Sequence, residues 1–226
     1  MKKLLIIPVV LLAITLGWNY LYQQIEPVPL VTLEDLGVSR PTYLPDPKLT
    51  PGLINTAVTQ QNLSKTVCRC YGAKEKCNSY AKEVRPPTSW TAPREKQSIK
   101  DYGYKDTNPS HYEYDHFVPI SLGGAPKNEK NLWAQPLFLK ITRICEGKNT
   151  DDPKCNDGEF GAAGMVYDYG AKSKDRVEFF LYREMCSGRI TLKEAQSKIL
   201  NDWRIEYDKM QGTFGAQEEY VDPDDL

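Results

Sequence analysis

The stretch "YEYDHFVPISLGGAPKNEKNLW", Tyr112 to Trp133, decides how the rest of this 226-residue chain is read. Tyr112, Tyr114, His116, Val118 and Ile120 alternate with Glu113, Asp115, Phe117 and Pro119, a two-residue period that predicts a strand. Gly123-Gly124 ends the run and lets the chain turn. The chain has only two histidines, His111 and His116, and both lie here. An imidazole with an ordinary pKa of about 6.5 is the side chain best suited to take a proton near neutrality.

Beside His116 stand a carboxylate, Asp115, and further on an amide, Asn131. A neutral imidazole can draw a proton from water, a carboxylate can hold a hard divalent cation, and an asparagine can tie a loop in place. Those are parts for metal-assisted hydrolysis, in which a cation neutralises charge building on a phosphate while His116 activates water. An Asp-His pair alone is more often the mark of an exposed strand end or a satisfied structural histidine. His111, in the turn-like NPSHYEY, is expected to be structural or solvent-facing. Strict alternation aims Asp115 and His116 at opposite faces, so sharing a site requires an irregular ladder, for which Pro119 gives an opening.

Outward toward the N-terminus, EVRPPTSWTAP reads as loop and REKQSIKDYGYKD as a short helix ending at Gly103. TQQNLSKTVC is a short entry into the first cysteine. Before it, six of the sixteen prolines fall between Pro27 and Pro51, a density that favours extended, semi-rigid chain. The first residues, MKKLLIIPVVLLAITLGWNYLY, carry two lysines and then no charge until Glu26. They are membrane-directed, as a retained anchor or a cleaved signal peptide. This divides the chain into a signal or anchor (1–22), a Pro-rich linker (23–50), a globular domain (51–210) and an acidic tail (211–226). An exported chain is expected, and its six cysteines, an even number, suit an oxidising compartment. Zinc competes, but Cys68-x-Cys70 followed by Cys77 is not a CxxC knuckle.

Without residues 1–22 and the tail QEEYVDPDDL, 27 Lys and Arg face 25 Asp and Glu, a net charge of +2. Such a body does not announce a polyanion partner as a strongly basic one does. Arg85, Arg94, Lys96, Lys100 and Lys105 could still line a local groove, or an ordinary solvated face. Toward the C-terminus, 144–170 reads as a long loop holding Cys145 and Cys155. Its DDPKCNDGEF misses the spacing of a calcium loop. KSKDRVEFFLYREM places Val177, Phe180, Leu181 and Met185 at helical spacing before Gly188. TLKEAQSKILNDWRIEY opens with Thr191 and Glu194 as a capping box and carries Leu192, Ala195, Ile199 and Trp203 on one face. Both stripes are read as core.

DHFVPISLGG followed by NLW resembles the HNH, or ββα-metal, endonuclease motif. TVC, RPP, NLWAQP, KDRVE, CSG and AQSKILNDW extend the likeness to exported bacterial proteins of that type, across most of Pro51 to Tyr207. The resemblance implies an α+β fold: a small ββα-metal hairpin-helix core with added C-terminal helices, stapled by disulfides. It implies a nuclease acting on DNA or RNA, with His116 as general base, Asn131 bracing the hairpin from its second strand, and Lys174 meeting a phosphate. A divalent ion, magnesium or manganese, is expected on Asp115 with Asp175, or Glu178 as its substitute. No histidine follows Asn131, a departure from the pattern that keeps open a non-catalytic, HNH-like binding domain of the cell envelope. TVC and CSG being parts of the shared pattern, the likeness implies a Cys68–Cys186 bond, leaving Cys70–Cys77 and Cys145–Cys155 as local staples. A monomer tethered through its N-terminal segment is expected.

Overall fold

The structure, a computed structural model, describes residues 31–32, 44–143 and 165–213. The expected N-terminal anchor, most of the linker, the acidic tail beyond 213 and the Cys145–Cys155 bond lie outside them. Helix and strand are mixed, as expected of an α+β fold. Strands are β1 (Val31–Thr32), β2 (Tyr112–His116), β3 (Leu132–Pro136), β4 (Leu139–Arg143) and β5 (Met165–Asp168). Helices are α1 (Tyr80–Val84), α2 (Thr88–Asp101), α3 (Ala171–Cys186) and α4 (Leu192–Thr213). Strands β2 and β3 form an antiparallel hairpin in which His116 faces Leu132 and Asp115 faces Trp133. A separate sheet runs β1-β4-β5, parallel at β1·β4 and antiparallel at β4·β5.

The strand of the decisive stretch is shorter than its alternation predicts, ending at His116. Past it the Asn131 amide replaces the ladder: Val118 N–H donates to Asn131 Oδ1 at 3.0 Å and Asn131 Nδ2 donates to Val118 O at 2.9 Å. Pro119, with no N–H to offer, then opens the 3-10 turn Ile120–Leu122. Gly123 closes that turn at φ +77°, and a Cβ on Gly124 would stand 1.7 Å from Val118 O. The pair of glycines is therefore a steric requirement. Asn131 itself sits at the end of a 3-10 turn, Glu129–Asn131, one residue before β3 rather than within the second strand.

The segment read as loop, EVRPPTSWTAP, is helical over most of its length. Helix α1 is capped by Ser79, whose side chain accepts from Lys82 N–H, and α2 begins at Thr88, directly after Pro86-Pro87. Proline before a helix costs nothing because its φ already suits the turn, and Pro93 within α2 forgoes one ladder bond.

The two C-terminal helices form where their periodicity puts them. Val177, Leu181, Met185, Leu192, Ala195, Ile199 and Trp203 are buried in one core with Tyr169 and Phe117, the Val, Leu, Ile, Met and Phe side chains each contributing about 1.5–3 kcal/mol. Thr191 and Glu194 cap α4 reciprocally, at 2.7 Å and 3.2 Å. Backbone at Asp202 breaks that helix, and the Asp202 carboxylate accepts from Arg204 N–H at 3.2 Å, as a cap for the second segment. A second cluster, including Ile99, Tyr102, Tyr112 and Trp133, packs α2 against the hairpin. Disulfides join Cys68 to Cys186 and Cys70 to Cys77, in agreement with the first two bonds that the resemblance implies. They fit an oxidising, exported environment. Among the described residues no helix is long and apolar enough to cross a membrane.

Candidate functional site

Helix α3 lies against the hairpin and meets the odd-numbered residues of β2. Lys174 is fully buried, and its ammonium donates to Asp115 Oδ2 at 2.8 Å, to the His116 carbonyl at 2.8 Å and to Glu178 Oε1. Two residues back on α3, Lys172 bridges Glu113 Oε2 and Asp175 Oδ2, each at 3.1 Å. Four carboxylates thus share two ammonium groups across the hairpin-helix contact. An ammonium has three hydrogens, and those of Lys174 are all directed to protein oxygens, so none is left for the phosphate it was expected to meet.

Burial dominates the titration of this cluster. It pushes Asp175 up to about 7, helped by the charges of Glu113 and Asp115. It raises Glu178 well above its ordinary value, against the pull of Lys174, and raises Glu113, with Asp115 adding. Burial works the other way on Lys174, but Asp115 and Glu178 outweigh it and hold that lysine above the ordinary range.

The ladder is regular from Tyr112 to His116, with no bulge, so the pleat sends Asp115 and His116 in opposite directions. The irregularity that would bring them together is not there. The His116 ring turns to the other side, where Nε2 lies 2.9 Å from the Pro126 carbonyl. Its side chain is buried; burial, with Arg85 and Lys174 adding, lowers its pKa from 6.5 to about 4 against the Pro126 bond and Asp115. It is therefore a neutral imidazole at physiological pH. Nδ1 has no hydrogen-bond partner among the described residues, yet it is not one of the sealed-off polar atoms, which are Tyr104 Oη, Ser121 Oγ, Trp133 Nε1 and both amide atoms of Gln135.

Asn131, fully buried, holds the loop that carries Pro126. Besides its two bonds to Val118, it accepts from Leu53 N–H at 3.2 Å and donates to Ala125 O at 3.1 Å. Of the residues singled out from sequence, Asp115, Lys174 and Glu178 come together, whereas Asp175 is tied through Lys172 to Glu113 and feels Asp115 and Lys174 by charge alone. The His116 ring and Asn131 belong to the loop side. His111 is tied to Asp106 at 2.6 Å through Nδ1, a local structural contact.

Glu113 and Lys172 were not picked out as site residues, and Arg85 was named only among the cations that could line a groove. The first two had a signal: Glu113 is two residues before Asp115, hence on one strand face, and Lys172 is three before Asp175, hence on one helix face. Arg85 is exposed and adds to the lowering of the His116 pKa; nothing local in RPP points to that neighbour.

The divalent ion implied by the resemblance needs carboxylate oxygens that face one space. Asp115 and Glu178 already present theirs to Lys174, and no group of three or more His, Cys, Asp or Glu among the described residues is arranged to hold a metal. As they stand, these residues do not fit the ion. Compared with known proteins, the chain matches no family model, no curated protein and no solved structure.

Proposed function

We propose that this chain is an exported phosphodiester hydrolase of HNH type acting on nucleic acid, with the β2–β3 hairpin and α3 as its ββα core and His116 as the general base. The observation that carries the reading is the setting of His116. One ring nitrogen is fixed on a carbonyl whose loop is held by a buried asparagine, and the ring stays neutral at working pH. An oriented, unprotonated imidazole is what drawing a proton from water requires. Arg85, whose charge acts on the ring, carries a guanidinium of the kind that meets phosphate oxygens.

The full chain should cleave single-stranded or duplex DNA or RNA, and His116→Ala should abolish the cleavage with the circular dichroism spectrum unchanged. Each substrate is to be tried with magnesium, with manganese and with chelator. Wild-type protein inert toward every one of them sinks the reading.

A second reading is a non-catalytic HNH-like binding domain of the cell envelope. The observation that favours it is the Lys174 ammonium, fully buried between the carboxylates that a nuclease of this type would give to its ion. Nucleic acid or envelope material retained without turnover, in wild type and His116→Ala alike, is its expected result.

A further inference from the structure

We propose that the Lys174 ammonium takes the place of a divalent cation in this chain, closing the hairpin-helix junction with a charge that the sequence itself supplies. Three oxygens of three different residues converge on Nζ: Asp115 Oδ2 and the His116 carbonyl at 2.8 Å each, and Glu178 Oε1. Two of them are carboxylate oxygens and one is a backbone carbonyl, the kind of hard oxygen set that magnesium, manganese or calcium takes. The ammonium and such an ion exclude one another. Both need the same lone pairs, and two cations in one dry space repel strongly.

The surroundings favour the lysine. Its side chain is 0% exposed and those of Asp115 and Glu178 are 11% and 12% exposed. Magnesium gives up its water reluctantly and usually keeps several water ligands. A tethered ammonium needs only three acceptors and has them. The neighbouring Lys172, between Glu113 and Asp175, places a second lysine between two carboxylates at a more exposed position.

The lysine therefore does structurally what an ion would do. The folded chain should be indifferent to chelator, and removing the side chain should expose a vacant oxygen site. This inference does not depend on cleavage: a nuclease and a silent scaffold would both show it.

The test is a manganese titration of the full chain, read by the loss of free-ion electron paramagnetic resonance signal and by melting temperature. Wild type should take up no manganese saturably at this cluster, and its Tm should not respond to chelator. Lys174→Ser should bind manganese and gain a Tm increment that grows with the logarithm of ion concentration, and Lys174→Ser/Asp115→Asn should lose both. If Lys174→Ser does not fold in chelator, refolding with manganese asks the same question: recovery supports the proposal and failure to recover counts against it. Saturable manganese binding by wild type that Asp115→Asn removes overturns it, as does a folded Lys174→Ser that ignores the ion. None of these results touches the His116 cleavage assay, so either reading can fail alone.

Discussion

The Lys174 ammonium and the Asp115 carboxylate, 59 positions apart in the chain, meet at 2.8 Å with the lysine wholly enclosed. A buried pair of this kind is costly to half-remove, because the survivor keeps its charge without a partner. Lys174→Met should destabilise the chain by about 3–5 kcal/mol. Asp115→Asn should cost less in that background than in wild type, with a coupling of about 1–3 kcal/mol. Urea denaturation of the four proteins measures it, and additive effects would mean that the pair does not act as a unit.

Asn131 makes four side-chain hydrogen bonds from a fully buried position. Asn131→Ala leaves the backbone groups of Leu53, Val118 and Ala125 without those partners, at about 1–3 kcal/mol for each group that finds no other. Hydrogen exchange should show amide protection falling first at Leu53 and Val118, with the C-terminal helices spared.

The two described disulfides close loops of very different size, 118 and 7 residues. On the loop-entropy account, replacing Cys68 and Cys186 by serine should cost about 5 kcal/mol and replacing Cys70 and Cys77 about 2 kcal/mol. Chemical denaturation of the two double variants compares them directly.

His116 goes from an ordinary value of 6.5 to about 4 on folding. The unfolded chain takes up the proton first as pH falls. The stability held in the neutral ring is thus fully present above 6.5 and is lost toward pH 4, amounting to about 3 kcal/mol. The stability of wild type relative to His116→Gln should fall by that amount between pH 7.5 and pH 4.

Asp175 runs the other way, from 3.8 to about 7 on folding. Its contribution is fully present below 3.8 and is lost as pH rises through 7. Wild type should lose stability relative to Asp175→Asn between pH 5 and pH 8.5. The opposite slopes of these two variants, measured in the same buffers, distinguish the two sides of the hairpin.

Much of this was legible one segment at a time. Thr191 and Glu194 announce a cap because both partners lie within one turn. The stripes of α3 and α4 are read as core because a helix repeats every 3.6 residues whatever it packs against. Pro93 and the Pro86-Pro87 pair misled, since proline composition says nothing about which helical position each residue occupies. The strand overran past His116 because alternation continues in sequence where the Asn131 amide, 13 positions from Val118, has already taken over the hydrogen bonds.

By itself the sequence determined the two C-terminal helices with their buried faces, the turn at Gly123-Gly124 and a cysteine content suited to an oxidising compartment. Each rests on neighbours along the chain or on composition. Only the tertiary structure decided that Asp115 and His116 part company across a regular strand, and that a lysine from α3 fills the space between two carboxylates. Side-chain direction and charge pairing there depend on which elements close over the hairpin, and that contact spans residues 59 positions apart.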